Sequence, residues 1–207
     1  MIILYDYYRS SAAYRVRIAL NILGVAYKKI PVDLLKGDHR APENLARNKQ
    51  GLVPTLEIDG QVLTQSLAII EYLDEVHAAA FLPSDPVARA RVRALSYAIA
   101  MEIHPVCNLS VAKFASANSK DTITMQSWMQ VFIPKGLAAF EAMLDHPKVG
   151  KYCHADSITM ADLCLVPQIY NANRWGVDLA EFPRINAIMA RLDTLDAVQA
   201  AHPDHVT

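Results

Sequence analysis

Two kinds of sequence meet near residue 80, and that change constrains the fold more than any other feature of the chain. Before it, short β-like runs alternate with helical patterns; after it, the pattern is helical almost throughout. Residues 2–7, rich in Ile, Leu and Tyr, predict a first strand. Ser10 and Ser11 then precede Ala12, Val16, Ala19, Leu20 and Leu23 at helical spacing, with Gly24 closing the run. Residues 27–32 predict a second strand, reached through that helix and therefore expected to run parallel to the first. The polar stretch 33–50 reads as a loop with a short helix. Residues 54–58 and 61–64 flank Asp59-Gly60, a strong short hairpin signal. Gln65-Ser66 opens the next helix, with Leu67, Ile70, Leu73 and Val76 at inward spacing.

This β-α-β, β-β-α order describes a small thioredoxin-like unit over residues 1–80. Residues 78–86 form a linker in which Pro83 and Pro86 stop one helix and start another. Beyond it, Val92, Leu95, Ile99, Ile103 and Val106 mark one long helix, and Met125, Trp128, Phe132, Phe140 and Met143 a second. Pro134 and Pro167 fall inside helical patterns, where a kink is expected. The class is thus α/β plus all-α: a mixed domain over 1–80 and an all-helical one over 87–207, frayed from about His202.

Composition narrows the function. With 53% hydrophobic and 20% charged residues the chain has the make-up of a packed globular protein. A formal net charge of −1 without a dense basic cluster argues against a nucleic-acid partner. Every apolar run is broken by Arg, Asp, Glu or Pro before it reaches the ~20 residues of a membrane span. Cys107, Cys153 and Cys164 stand far apart and outside any CxxC pattern, so buried free thiols are expected and no metal site. The first residues lack a secretory signal pattern. Cytoplasm is the expected compartment.

Three local features carry chemistry. Arg9-Ser10-Ser11-Ala12 stands at a strand-to-helix junction, where a helix start offers unpaired N–H groups and a partial positive charge. A serine there either caps the helix or points its hydroxyl outward to a bound thiolate. Val53-Pro54 opens a strand. Were its bond cis, the preceding backbone would be free to pair with an extended peptide ligand, although Pro at a strand start is also ordinary. Gln65-Ser66 supplies a second helix start, suited to a carboxylate or to plain capping by Ser66. Together, two helix starts and a strand-initial proline on one small sheet form a cradle for an anionic thiol peptide.

The ensemble resembles a known family. Ser10-Ser11-Ala12-Ala13-Tyr14-Arg15-Val16-Arg17-Ile18-Ala19-Leu20 is similar to the signature of zeta-class glutathione transferases, a family of maleylacetoacetate isomerases. Gln50 to Leu56, Gln65 to Leu73, Glu102 to Pro105, Asn108 to Ser110, Thr159 to Gln168 and Asn171 to Arg174 fit the same family, in order, along nearly the whole chain. The resemblance implies the glutathione transferase fold, a homodimer, glutathione as cofactor and a small diacid substrate undergoing cis–trans isomerisation. It further implies that Ser10 hydrogen-bonds the glutathione sulfur, with Ser11 and the Ala12 backbone beside it. Val53, next to Pro54, pairs with the cysteinyl backbone, and Gln65 and Ser66 hold the γ-glutamyl end. His39 falls at the glycyl end, though a solvated surface histidine is the plain alternative. His104, Asn108 and Ser110 map to the helical wall of the pocket. Arg174 and Arg9 are candidates for a substrate carboxylate, while Arg15 and Arg17 are expected to make structural contacts. Thr159-x-x-Asp162 is a capping box serving the fold.

The sequence departs from the family pattern at Ala12, where the signature carries Cys, so no mechanism that needs that thiol applies here. Tyr14 replaces a common Trp, and Asn48-Lys49 the usual Asn-Pro. A maleylpyruvate isomerase, a conjugating or dehalogenating transferase, and a non-enzymatic binding module remain rivals.

Overall fold

In a computed structural model, residues 1–206 are described, and the chain divides into two units. The first joins Met1–Leu82 to the chain from Thr194 onward; the second is Pro83–Asp193.

In the first unit, β1 (Ile3–Asp6), β2 (Lys28–Pro31), β3 (Thr55–Ile58) and β4 (Gln61–Thr64) form a sheet of order β2-β1-β3-β4. β2 runs parallel to β1, while β3 is antiparallel to both β1 and β4, the last joined by the Asp59-Gly60 turn. The helices are α1 (Ser11–Ile22), α2 (Pro42–Arg47) and α3 (Ser66–His77). Leu4 and Leu56 pair across β1 and β3 and are fully buried with Val16, Ala19, Leu20, Ile69, Ile70 and Leu73. A separate cluster of Tyr5, Tyr7, Val32 and Val53 joins the end of β1 to the residue before Pro54.

The buried stripe of α3 is Ser66, Ile69, Ile70, Leu73 and Asp74, so the expected phase was wrong: Leu67 is half-buried and Val76 is exposed. Asp74 turns inward because its carboxylate accepts from Phe81 N (2.8 Å) and Leu82 N (3.1 Å), a bond pattern that hydrophobic spacing does not encode. Helix α1 is buried on all sides from Ala13 to Leu20, not along a single stripe.

Its outer cover is the C-terminal segment, and here the expected domain limits need correction. Residues from Thr194 on belong with the first unit, not with the helical one, and the chain near His202 is not frayed. There, α9 (Asp196–Ala201) and a 3-10 turn (Pro203–His205) bury Val198, Ala201 and Pro203. Long-range polar contacts fasten them: Arg17 Nε to Ala201 O (3.0 Å), Asn21 Nδ2 to Ala197 O (3.1 Å) and Lys29 Nζ to Val206 O (3.2 Å).

The second unit holds α4 (Pro86–Tyr97), α5 (Leu109–Ala117), α6 (Met125–Met143), α7 (Met160–Arg174) and α8 (Pro183–Leu192), with one isolated bridge between Val149 and Ala155. The long helix expected over 92–106 does not continue in α form. After Tyr97 it widens to a π-helical segment, Ala98–Ile103, in which His104 N reaches Ile99 O at 2.9 Å. The packing of α6 requires Gly136 there, because a Cβ would stand 2.4 Å from Ile103 Cγ1. Asp162 closes the expected capping box and does more: it accepts from Thr159 N (2.8 Å), Thr159 Oγ1 (2.8 Å) and, from outside the helix, Cys153 N (2.9 Å). All three cysteines are free and buried, and no helix among the described residues is long and apolar enough to cross a membrane.

The loop after α6 is pinned to α4 by Arg91, which donates to Cys153 O (3.0 Å), Met143 O (3.2 Å) and His154 Nδ1 (3.4 Å). Burial, and then the charges of Arg91, Lys148 and His146 against the weaker opposition of Asp85, hold the His154 imidazole below its ordinary value. The folded protein therefore binds this proton less readily than the unfolded chain does. Stability contributed by neutral His154 is present above the unfolded value of about 6.5 and is lost as pH falls through it toward the lower folded value. His154→Asn is expected to flatten the fall in the urea midpoint between pH 7.5 and pH 5.5. Parallel pH profiles for parent and variant would remove His154 as the cause.

Candidate functional site

The first unit places the N-terminal ends of α1 and α3 and the segment before β3 around the exit of β1. Ser10 is the N-cap of α1 (φ −69°, ψ 116°), and its Oγ accepts from Ala13 N at 3.2 Å. The capping and donor roles weighed from sequence are therefore compatible. Oγ uses a lone pair toward the helix, and its O–H remains available to an acceptor beyond it. Ser10 and Ala12 are half-buried, Ser11 is buried, and no acidic residue in the first turn offsets the positive helix end. Arg9 is exposed, with its Cζ 4.9 Å from the centroid of the Tyr8 ring.

The Val53–Pro54 bond is cis. Val53 is buried, yet neither its N–H nor its C=O is hydrogen-bonded among the described residues. A backbone pair without partners is the kind of group a ligand backbone would satisfy.

Ser66 is not the N-cap of α3; Gln65 is, with φ 68° and ψ 112° and no side-chain cap bond. Such a backbone costs on the order of 1–3 kcal/mol and is met at ligand clamps. Ser66 is the first helical residue, buried, and its Oγ accepts from Arg15 Nη1 at 3.3 Å. The Gln65 side chain donates through Nε2 to Gln50 Oε1 at 2.7 Å. Arg15 and Gln50 both stood inside the recognised motifs, but nothing local marked them as partners of Ser66 and Gln65.

His39 sits in a 3-10 turn, Asp38–Arg40, half-buried, and its buried Nδ1 has no hydrogen-bond partner among the described residues. Burial and then the Arg40 charge lower its pKa, which favours the neutral ring. The turn lies against residue 51, where a Cβ would be 3.1 Å from His39 O; Gly51, at φ 60°, permits the approach. His39 is thereby brought beside the Gln50 segment that reaches Gln65.

In the second unit, His104 follows the π-helical segment and is half-buried. Asn108 caps α5: its Oδ1 accepts from Ser110 N (3.0 Å) and Ser110 Oγ (2.9 Å), so these two side chains face each other. Arg174 is the last residue of α7, exposed, with Cζ 5.9 Å from the Tyr170 ring centroid. Trp128 Nε1 bonds Val106 O (2.9 Å) and Gln130 Nε2 bonds Trp175 O (3.1 Å), so α6 ties the 104–110 corner and the end of α7 to neighbouring positions.

The first unit thus sets a serine hydroxyl at one helix start, a second helix start and an unpaired backbone segment before a cis proline on one thioredoxin-like sheet. The glutathione S-transferase N-terminal domain model matches residues 4–81, and the C-terminal domain model of the same family matches residues 106–201. The chain belongs to the glutathione S-transferase family. It is 63% identical to the maleylacetoacetate isomerase of Rhizobium meliloti over 204 residues, 98% of this chain and 96% of that protein. Among solved structures, the holo form of a maleyl pyruvate isomerase, a bacterial zeta-class transferase, superposes with a TM-score of 0.93 at 39% identity, covering 98% of this chain and 97% of the other. Maleylacetoacetate isomerase from Methylobacterium extorquens AM1, with bound malonate and glutathione, superposes with a TM-score of 0.94 at 38% identity, covering 99% and 98%. Within the family, the chain is of the zeta class.

Proposed function

We propose that this protein is a glutathione-dependent isomerase that converts maleylacetoacetate to fumarylacetoacetate. The observation that carries the reading is the Ser10 hydroxyl, anchored by Ala13 N and free to donate at an uncompensated helix start. When bound, glutathione supplies a thiolate that adds reversibly to the cis alkene, so that the former double bond turns as a single bond and the cofactor is regenerated.

The residues present fit that cofactor. Ser10 donates to its sulfur, with the Ser11 and Ala12 N–H groups alongside. The open N–H and C=O of Val53, next to Pro54, pair with its cysteinyl backbone. Gln65 and Ser66, at the start of α3, hold the γ-glutamyl end, and neutral His39 meets the glycyl end through its unpartnered Nδ1. We assign His104, Asn108 and Ser110 to cofactor contacts, and Arg174 and Arg9 to substrate carboxylates. For Asn108 and Ser110 the mutual capping bonds must be shared or exchanged on binding.

Lowering a thiol pKa from about 8.5 to about 6.5 takes roughly 2.7 kcal/mol. A helix N-terminus contributes about 0.3–2 kcal/mol, and a hydrogen bond to a charged group about 1.5–3 kcal/mol. The two together suffice; the helix end alone falls short. Ser10 is therefore the hydroxyl the reaction needs.

Identity of 63% to a maleylacetoacetate isomerase, against 39% to the maleyl pyruvate isomerase above, favours the first substrate. We further assign the protein to the cytoplasm, in keeping with its free thiols. We also infer a homodimer, which light scattering of a single-chain particle at micromolar concentration would overturn. The deciding experiment is spectrophotometric turnover of maleylacetoacetate and maleylpyruvate side by side, with and without glutathione. Glutathione-dependent turnover of maleylacetoacetate without net thiol loss is expected. Preferred turnover of maleylpyruvate would reassign the substrate, net thiol consumption would indicate a conjugating or dehalogenating transferase, and no turnover of either would point to a binding module.

A further inference from the structure

Arg17 lies seven residues after Ser10, two turns along α1 and on the same side of the helix. Its side chain is fully buried, and every donor group of its fork is engaged. Nη1 donates to Asp6 Oδ1 (2.7 Å) and Oδ2 (2.9 Å), Nη2 to Tyr8 O (2.9 Å), and Nε to Ala201 O (3.0 Å). The guanidinium also stands 5.0 Å from the Tyr14 ring centroid. Three separate segments meet at one group: the last residue of β1, the turn from β1 to α1, and the final residue of α9.

A buried ion pair is a weak source of net stability, because desolvating two charges offsets most of their attraction. Apolar residues would fill the space at least as well. What the guanidinium provides and an apolar residue does not is direction, with fixed donors aimed at three acceptors. One of them, Tyr8 O, lies inside the turn that Ser10 N closes onto Tyr7 O at 2.8 Å.

We propose that Arg17 is a positioning residue: through Asp6 and Tyr8 O it holds the turn that presents the Ser10 hydroxyl, while Ala201 O fixes the third donor of its guanidinium. The inference rests on Ser10 being the hydroxyl that serves the thiolate. Lysine keeps the charge beside Asp6 but cannot reach all three acceptors.

The test is a pH titration of the thiolate ultraviolet absorbance of glutathione bound to the full chain. It compares the parent with Ser10→Ala, Arg17→Lys, the double variant Asp6→Leu/Arg17→Met, and Asn21→Ala. The double variant removes both charges together, so it remains foldable if Arg17→Lys does not. Asn21→Ala releases one anchor of α9, the bond to Ala197 O, without touching the turn. The parent and Asn21→Ala are expected to share one depressed thiol pKa, and Ser10→Ala to raise it. Arg17→Lys and the double variant should raise it by about one unit while glutathione affinity stays within about threefold. If both Arg17 variants titrate with the parent while Ser10→Ala is shifted, Arg17 is purely structural and the inference fails, with the Ser10 reading intact. If Ser10→Ala titrates with the parent, both fail. A shift in Asn21→Ala equal to that in Arg17→Lys would show that docking acts by a route other than Arg17, and would also overturn it.

Discussion

Replacing Ser10 by alanine is expected to lower turnover at neutral pH by roughly ten- to two-hundred-fold, the rate equivalent of a lost charge-assisted hydrogen bond of about 1.5–3 kcal/mol. Part of the loss should return as pH rises toward about 8.5, where a thiol ionises unaided. Because Ser10 Oγ also accepts from Ala13 N, the same change removes a helix cap, at a cost of about 1 kcal/mol of stability. The two effects can be separated. Ser10→Asp retains an acceptor for Ala13 N but offers the thiolate no hydroxyl proton and adds a like charge, so it should keep the parent's melting temperature and lose activity at least as severely. Ser11→Ala should be milder, since Ser10 and the helix N–H groups remain. Ala12→Cys should be nearly silent, because this chain already dispenses with that thiol. A pH–rate profile of the four variants beside the parent decides the matter. If Ser11→Ala proves more damaging than Ser10→Ala, the activating hydroxyl is misassigned; if neither matters, the helix end suffices and the energy argument falls.

Arg174→Ala is expected to raise KM for the diacid by roughly ten- to two-hundred-fold, in line with the loss of a bidentate guanidinium–carboxylate contact of roughly 1.5–3 kcal/mol. Glutathione affinity should stay nearly unchanged. The folded state should be indifferent to the change, for Arg174 is exposed at the last turn of α7 and its ring contact to Tyr170 is a distant one. Arg174→Lys should restore only part of the loss, because an ammonium keeps the charge without the planar fork. Steady-state kinetics with glutathione saturating, alongside calorimetric glutathione binding, distinguish these outcomes. A KM equal to the parent's would return Arg174 to an ordinary solvated residue at a helix C-terminus.

Local chemistry explains what was legible before the fold was in hand. The Ile-, Leu- and Tyr-rich first strand, the Asp59-Gly60 turn and the helix starts at Ser10 and Gln65 depend on neighbours a few residues apart, and all appear where local sequence placed them. So does the Thr159–Asp162 box. Errors arose where a distant partner decides. Asp74 rotates the buried face of α3 because Phe81 and Leu82 need its carboxylate. The buried face of α6 runs through Met129, Ile133, Leu137 and Phe140, leaving the Trp128 and Phe132 rings only half-buried and tilted against each other with centroids 4.4 Å apart. The π-helical turn before His104 ends at Ile103, whose side chain packs where Gly136 of α6 has no Cβ.

By itself the sequence determined the order of elements, the change of class near residue 80 and the motif positions from Ser10 to Arg174, because these depend on periodicity, turn chemistry and residue identity. Tertiary structure alone decided that Ser10 caps and remains a donor at once, that Gln65 rather than Ser66 caps α3 at a positive φ, and that Arg15 reaches Ser66 across 51 residues. It also decided that α9 closes over α1, through an Arg17 contact that spans 184 residues. Bonds of that reach are made by buried, directional groups whose partners no local pattern names, and they exist only once the chain has folded.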